Sequence, residues 1–345
     1  MSVAISDPAG GATPATSIWR EILEDARYAP SPHNIQPWKL DIVSEREATL
    51  LYDPTRLIPD EDIDGSYTLA AFGILLEYMA VLAFSKRLRL TYDYNGQILD
   101  RHATGLLPLF DVHLSSTDQP PTVDAKLVRQ RRTSRLPYND RPIPEAVLGE
   151  LDEIAAEYGH RFTFSQDPEV VRWVVGLNAD TLFYDMRNDV TRREVDSWIR
   201  YTRREAEARR DGLAAFCMHL PGVVLRLFFR HRRLLDSAVV TGLAKWYYLR
   251  TMRGTTTVGW ITGPFGTAND WLKAGHMLGR IWLKLTEHGL YLHPFGSTIT
   301  NPIAHDQLLK KFGTSDTPLW LIVRLGYSDV PPRSLRLGVD DLIVS

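Results

Sequence analysis

The chain has 345 residues, 44% hydrophobic and 24% charged, enough for two domain-sized cores and ordinary for a globular protein. Its formal net charge of −2 supplies no bulk field for nucleic acid or an anionic membrane. The single cysteine, Cys217, excludes an internal disulfide framework and a cysteine-only metal cluster, and a reducing cytoplasm is the simplest compartment.

Residues 1–17 are rich in Ala, Gly, Pro and Ser, without a basic start or an apolar run, so a loose tail is expected there and not a signal peptide. Ser17 is placed to cap a helix carrying Ile18, Ile22, Leu23 and Ala26, which the Pro30-Ser31-Pro32 cluster must stop. Residues 38–43 and 48–53 read as strands. The apolar run 67–84 nears the length of a membrane span, yet Glu77 at its middle would be costly in lipid. A buried core helix over 67–85 is expected, with no stable membrane span. Strands at 88–94 and 109–114 follow, then a polar, proline-bearing linker at 115–122.

The second half opens on a basic run at 129–135. A helix with Pro144 in its first turn reaches Tyr158, and 161–165 reads as a strand. A long charged helical region covers 168–210, ending near Asp211-Gly212. Residues 213–250 are apolar with clustered arginines. A helix at 271–288 is capped by Gly289 in a left-handed conformation, and 319–325 is a late strand. Helices and short strands without βαβ alternation predict an α+β fold.

There is no Walker A loop, no GxGxxG after a strand, no HExxH and no GxSxG. Gly259, Gly263 and Gly266 lack dinucleotide-fingerprint spacing. The ten histidines do not cluster at ligand spacing, so no metal site is expected. Cys217 reads as a buried structural thiol.

Three segments carry candidate chemistry. In 29–38, prolines flank Ser31, while Asn34 and Gln36 both donate and accept hydrogen bonds. Such a turn could hold amides against the edge of a planar heterocycle, or be an ordinary proline-rich turn. In 131–135, an extended backbone would project Arg131, Thr133 and Arg135 to one side. Two guanidinium forks and a hydroxyl suit a phosphate dianion, with a solvated basic run as the alternative. In 331–336, Arg333 and Arg336 add two cations after a strand, or simply surface charge. His33 and His293 read as structural, and no side chain stands out as a general acid.

Together these segments resemble the nitroreductase superfamily, and within it the branch of Acg-family FMN-binding oxidoreductases, from Trp19 to Leu342. Pro30, Ser31, Asn34, Gln36, Pro37 and Trp38 match its PSxxNxQPW pattern. Arg131, Thr133 and Arg135 match its basic-x-hydroxyl-x-basic pattern. Gly289-Leu290 followed by His293, Pro294, Phe295, Gly296 and Ser297 matches a third segment, and Arg333 with Arg336 the terminal basic pair. Residues 194–198 and 211–212 look like the family's central helix.

The resemblance implies a nitroreductase-like fold and one FMN. The phosphate would lie on Arg131, Thr133, Arg135, Arg333 and Arg336. Pro30, Ser31, Asn34 and Gln36 would touch the ring edge, and Pro294, Phe295, Gly296 and Ser297 would bring a backbone N–H near flavin N5. NAD(P)H would donate hydride, and a nitroaromatic, quinone or similar small molecule would accept it in a ping-pong cycle. The loop pattern occurs only in the first half, and the phosphate and N5 segments only in the second. Two tandem halves, 18–120 and 121–345, are therefore expected to form an intrachain pseudo-dimer with one site, as a monomer or weak homodimer. Residues 213–250 depart from the common pattern and read as a lid, though their apolar and cationic mixture also fits a membrane-surface helix. The competing functions are a biosynthetic FMN-dependent dehydrogenase or oxidase on a dedicated small molecule, and a non-catalytic FMN-storing protein.

Overall fold

A pair of twenty-residue helices, one from each half of the chain, crosses at the centre of the molecule. The computed structural model describes residues 17–231, 233–314 and 316–344, so the tail expected at 1–17 lies outside the described residues except for Ser17. The first half comprises α1 (Ser17–Ala26), β1 (Trp38–Ile42), β2 (Glu47–Tyr52), α2 (Ser66–Ser85), β3 (Leu88–Tyr94) and β4 (Leu107–Ser116). The second begins with α3 (Lys126–Gln130), α4 (Glu145–Glu157), β5 (Arg161–Ser165), α5 (Pro168–Asp185), α6 (Asp189–Trp198), β6 (Ile199–Arg200) and α7 (Arg203–Arg209). Next come β7 (Leu213–Ala214), α8 (Ala215–Met218), α9 (Gly222–Arg230), α10 (Arg233–Asp236), α11 (Ala238–Thr251), β8 (Thr257–Thr262) and α12 (Ala268–Glu287). The chain ends with β9 (Tyr291–Pro294), α13 (Ser297–Thr300), α14 (Pro302–Phe312), β10 (Leu319–Gly326), α15 (Val339–Leu342) and β11 (Ile343–Val344).

The first-half strands form a sheet in the order β11-β1-β2-β4-β3, and the second-half strands one in the order β5-β8-β10-β9. Within these two sheets pairing is antiparallel except for β11, which runs parallel to β1 with Leu40 opposite Ile343, while β6 and β7 form a separate two-stranded parallel ladder. The arrangement is α+β with two tandem halves, as expected. The final strand nevertheless leaves the second half and completes the sheet of the first.

Helix α2 is buried on every side, which explains why its sequence is apolar all round and not amphipathic. It is long and apolar enough to cross a membrane by length and composition, but most of it is inside the core. Glu77, its lone charge, meets His276 Nδ1 at 3.1 Å and Arg280 Nε at 3.3 Å, both from α12. Buried Asp62 caps the start of α2, accepting from the Tyr67 and Thr68 backbone N–H groups at 3.0 and 2.7 Å. Where α2 and α12 cross, glycine faces backbone. A Cβ on Gly73 would lie 2.3 Å from Leu272 O, and one on Gly275 would lie 2.1 Å from Ala70 O.

Several boundaries differ from expectation. The linker expected at 115–122 begins two residues inside β4, where Ser115 and Ser116 pair with Arg89 and Leu88. The charged region 168–210 breaks into α5, α6 and α7, because Asn188 and Thr202 each cap a new helix start. Strand β8 was not anticipated: it is buried along its whole length, so it shows no period-two alternation. Helix α14 was also missed, although Asn301 accepts from the Ile303 and Ala304 N–H groups and Pro302 follows at the first turn.

Candidate active site

Loop 30–37 is held in a costly conformation by its own polar side chains. His33, Asn34 and Gln36 sit at φ of 47°, 59° and 49°, in the left-handed region. Ser31 Oγ accepts from the Gln36 N–H at 3.0 Å. Gln36 Nε2 donates to Asn34 O and Arg210 O at 3.3 and 3.1 Å, and its Oε1 accepts from the Leu337 N–H at 2.9 Å. Asn34 Nδ2 donates to Gly212 O and Leu335 O at 3.1 and 3.0 Å. Arg56 Nε donates to Ile35 O at 2.6 Å, and its Nη2 meets Asp211, which Arg200 also holds at 2.7 Å. The first-half loop is thereby stapled to residues 210–212 and 335–337 of the second half. Asn34 Oδ1 is left as a buried acceptor without a hydrogen-bond partner among the described residues.

Gln36 is fully buried, so Gln36→Ala removes three hydrogen bonds and strands their partners. We expect a loss of about 2–4 kcal/mol in urea-unfolding stability. An unchanged midpoint would show that the staple carries none of the loop's conformation.

Residues 335–337 lead directly into a cationic pocket lined by Tyr28, Arg131, Arg132, Thr133, Arg333, Ser334 and Arg336, together with Pro332. Arg131 is only 4% exposed; it lies 4.7 Å over the Trp282 ring, and its Nη2 donates to Tyr28 O at 2.9 Å. Its Nε and Nη1 are buried without partners among the described residues. Arg333 stacks 4.6 Å over Tyr28 and leaves Nη1 unpartnered, and Arg336 leaves Nε unpartnered. Among the described residues, no carboxylate lines the pocket. Burial, and then the neighbouring Arg131, push the Arg336 guanidinium down to about 9. Uncompensated buried cations are unfavourable, and a tetrahedral oxyanion would satisfy their free N–H groups.

The structure thus brings together four of the five cation and hydroxyl candidates, and places the fifth, Arg135, elsewhere. Beyond α3 the chain is not a regular strand; Thr133 makes one isolated parallel bridge to Leu292, and the expected alternation fails. Arg135 does not line the pocket, and its charge acts on His33, His293 and Cys217.

Arg324, which sequence reasoning missed, orders this region. It is fully buried in β10, with Nη2 donating to Ser134 O and Leu136 O at 3.3 and 3.0 Å and Nη1 to Thr251 O at 3.2 Å. Its Nε donates to His293 Nδ1 at 3.1 Å, and its guanidinium lies 4.3 Å over Tyr138. An arginine amid the apolar run of β10 was the available signal. Burial, then Arg324 and Arg135, push the His293 imidazole well below its ordinary range, consistent with a neutral ring accepting the Arg324 proton. Beyond His293, Phe295 is buried and its N–H bonds Ile322 O at 2.9 Å. Gly296 is exposed at the start of α13. Phe295 therefore anchors the segment, and Gly296 and the partly exposed Ser297 present it.

Beside α13 opens a cleft of about 480 Å³ between Asp60, Glu61, Tyr184, Asp185, Thr300 and Asn301. His33 Nε2 lies 2.6 Å from Glu61 Oε2, and Glu194 accepts the Asp60 and Glu61 backbone N–H groups. Burial lowers the His33 pKa, but Glu61 and then Glu194 outweigh it, so the imidazole rises above 6.5. Burial raises Glu194 to about 7. This His33–Glu61–Glu194 group joins three distant segments and was not foreseen. Because the folded pKa of His33 lies above the unfolded one, its stabilising contribution is complete below about 6.5 and fades as pH rises through the folded value. His33→Ala should remove that part of the pH dependence in urea midpoints measured across this window; an unaltered profile would remove the pair from the account.

No protein-family model matches the chain. Among curated proteins it is similar to the probable NAD(P)H nitroreductase PigM of Serratia sp., with 24% identity over 317 residues, covering 86% of this chain and 84% of that protein. Among solved structures, a putative nitroreductase from Anabaena variabilis aligns at TM-score 0.48 and 11% identity, covering 92% of this chain and 90% of its own. The FMN-dependent nitroreductase NfnB from Mycobacterium smegmatis, in complex with NADPH, aligns at TM-score 0.39 and 17% identity, covering 63% and 94%. At such scores the superpositions carry no weight beside the likeness to PigM, which runs along most of both chains. With its two helix-and-sheet halves and its loop and arginine patterns, the chain is similar to a probable NAD(P)H nitroreductase along most of both sequences.

Proposed function

We propose that this protein is an FMN-dependent oxidoreductase of the Acg-like branch, using NAD(P)H to reduce nitroaromatics, quinones or similar small acceptors. The observation that carries this reading is the cationic pocket, where buried N–H groups of Arg131, Arg333 and Arg336 lack partners among the described residues and no carboxylate of those residues intrudes. An anion with several oxygens is what such donors suit. Arg131, Thr133, Arg333, Ser334 and Arg336 would hold the FMN phosphate. Asn34 Oδ1, a buried free acceptor, would take a ring N–H, while Ser31 and Gln36 fix the loop that presents it. The exposed Gly296 N–H, with Ser297, would face the ring from the second half. Arg135 would act through its field on His33 and His293, with no contact to the phosphate.

When bound, FMN supplies reversible two-electron chemistry by accepting and donating hydride. The chain's own groups position and protonate. His33 Nε2 faces Glu61, which favours its protonated form and lines the cleft. One cleft serving donor and acceptor in turn suits a ping-pong cycle. The α9–α11 segment reaches it through α10, since Arg187 on the cleft wall donates to Leu235 O at 3.2 Å, and it would serve as a lid. The name of PigM, a probable NAD(P)H nitroreductase, supports the reductant. A cytoplasmic setting, where NAD(P)H is available, fits this reading.

The test is the absorbance spectrum of the purified protein, followed by FMN titration and anaerobic NADPH. We expect one flavin per chain, bleached by NADPH and reoxidised by a quinone or nitroaromatic. Protein that refuses FMN would sink the proposal, and two flavins per chain would sink the single-site pseudo-dimer. Bound flavin that no reductant reaches would favour a storage role.

A further inference from the structure

The α9–α11 segment turns its apolar residues in two directions. Leu225 and Phe229 of α9 and Leu235 of α10 face inward and are buried. Outward, α9 shows Val223, Val224 and Leu227, with Val223 84% exposed, and its stripe ends on exposed Arg230. On α11 the outward positions are Val239, Leu243, Trp246 and Tyr247, a helical i, i+4, i+7, i+8 stripe, with Trp246 53% exposed. That stripe ends on Arg250, whose guanidinium lies 4.8 Å over the Trp246 ring. Exposed apolar stripes of this extent mark a docking surface.

The charge of the segment says what docks. From 213 to 251 the sequence carries six cations, Arg226, Arg230, Arg232, Arg233, Lys245 and Arg250, against the single carboxylate Asp236, while the whole chain is at −2; Arg226 and Lys245 are ion-paired with Glu205 and Asp180 of neighbouring helices, which leaves the arginines beside the stripes to set the sign of the face. A second copy meeting this face symmetrically would set cations against cations, which disfavours a dimer through it. Tryptophan, tyrosine and branched aliphatics bordered by arginines are instead the composition of helices lying in an interface between anionic headgroups and acyl chains. We propose that the α9–α11 segment, led by the Trp246 stripe of α11, docks the protein onto an anionic lipid surface, peripherally and without a membrane span. Arg187 on the cleft wall holds Leu235 of α10, so docking would bring the cleft close to lipid-soluble molecules.

The test is co-sedimentation of the full chain with phosphatidylcholine vesicles, with and without phosphatidylglycerol. The chain should pellet with the anionic vesicles alone and be released when salt shortens the Debye length to about 3 Å. Arg230→Gln should weaken partitioning about fivefold. Leu243→Ser with Trp246→Ser should abolish it. These side chains are exposed, so an unchanged far-UV circular dichroism spectrum will confirm that the variants fold. Absence of pelleting with anionic vesicles, or variants that pellet like the parent, would overturn the proposal. So would a concentration-dependent dimer lost in the double variant, or capture on polyglutamate beads, when either occurs without vesicle binding; the first would assign the face to a second copy and the second to an acidic protein.

Discussion

Gly275→Val should cost the protein at least about 3 kcal/mol, or prevent folding altogether. A Cβ there lands 2.1 Å from Ala70 O, and the same crossing would place one on Gly73 at 2.3 Å from Leu272 O. Neither obstacle is a side chain that can swing aside; both are backbone carbonyls inside twenty-residue helices. Relief would require α2 and α12 to separate, breaking the Glu77 contacts to His276 and Arg280 and opening the main core cluster. Interiors packed at crystal density do not absorb such a shift locally. Urea unfolding of the variant, or its yield in soluble form, checks this. Gly279 on the same helix is a fair control, because its added Cβ would meet only the Glu77 and Ile74 side chains, at 3.4 Å and beyond.

Arg336→Met should act in two directions. FMN affinity should fall roughly 10- to 150-fold, the equivalent of losing a charge-assisted contact worth about 1.5–3 kcal/mol. Stability without flavin or phosphate should instead rise. Burial and Arg131 hold the Arg336 pKa near 9, below its unfolded value, so at neutral pH the folded state carries the full penalty of a disfavoured charge. Methionine keeps much of the stem's packing and removes that penalty. Fluorescence titration with FMN and urea midpoints in phosphate-free buffer separate the two effects. A variant that loses stability and keeps FMN would show that the pocket is not an anion site. For the parent, added phosphate should raise the melting temperature, since only the folded state gathers these arginines.

What could be read in the sequence follows from how local each signal is. Helix α2 announces itself by an unbroken apolar run, and β3 and β5 fall at the residues expected. Gly289 adopts φ 68°, in line with its role as a helix terminator. Strand β8 escaped because burial on both faces erases alternation, and β11 because two residues hold too little pattern. The site was legible where a motif is compact, as in residues 30–38, and illegible where it is assembled from afar. Arg131 with Thr133, and Arg333 with Arg336, were each visible as pairs, and the fold brings the pairs into one pocket. Arg135 was placed by an alternation argument that needs a regular strand, and the chain there is not one. His33, Glu61 and Glu194 meet only in three dimensions.

The parallel pairing of Ile343 and Val344 with β1 bears on how the molecule is made. A ribosome releases those residues only after the other strands of both sheets have emerged. Until then the β1 edge is open to any strand that reaches it. Completion of the first-half sheet therefore waits for residues 343–344, and a nascent chain stalled before them would leave that edge free to pair with its neighbours on a polysome.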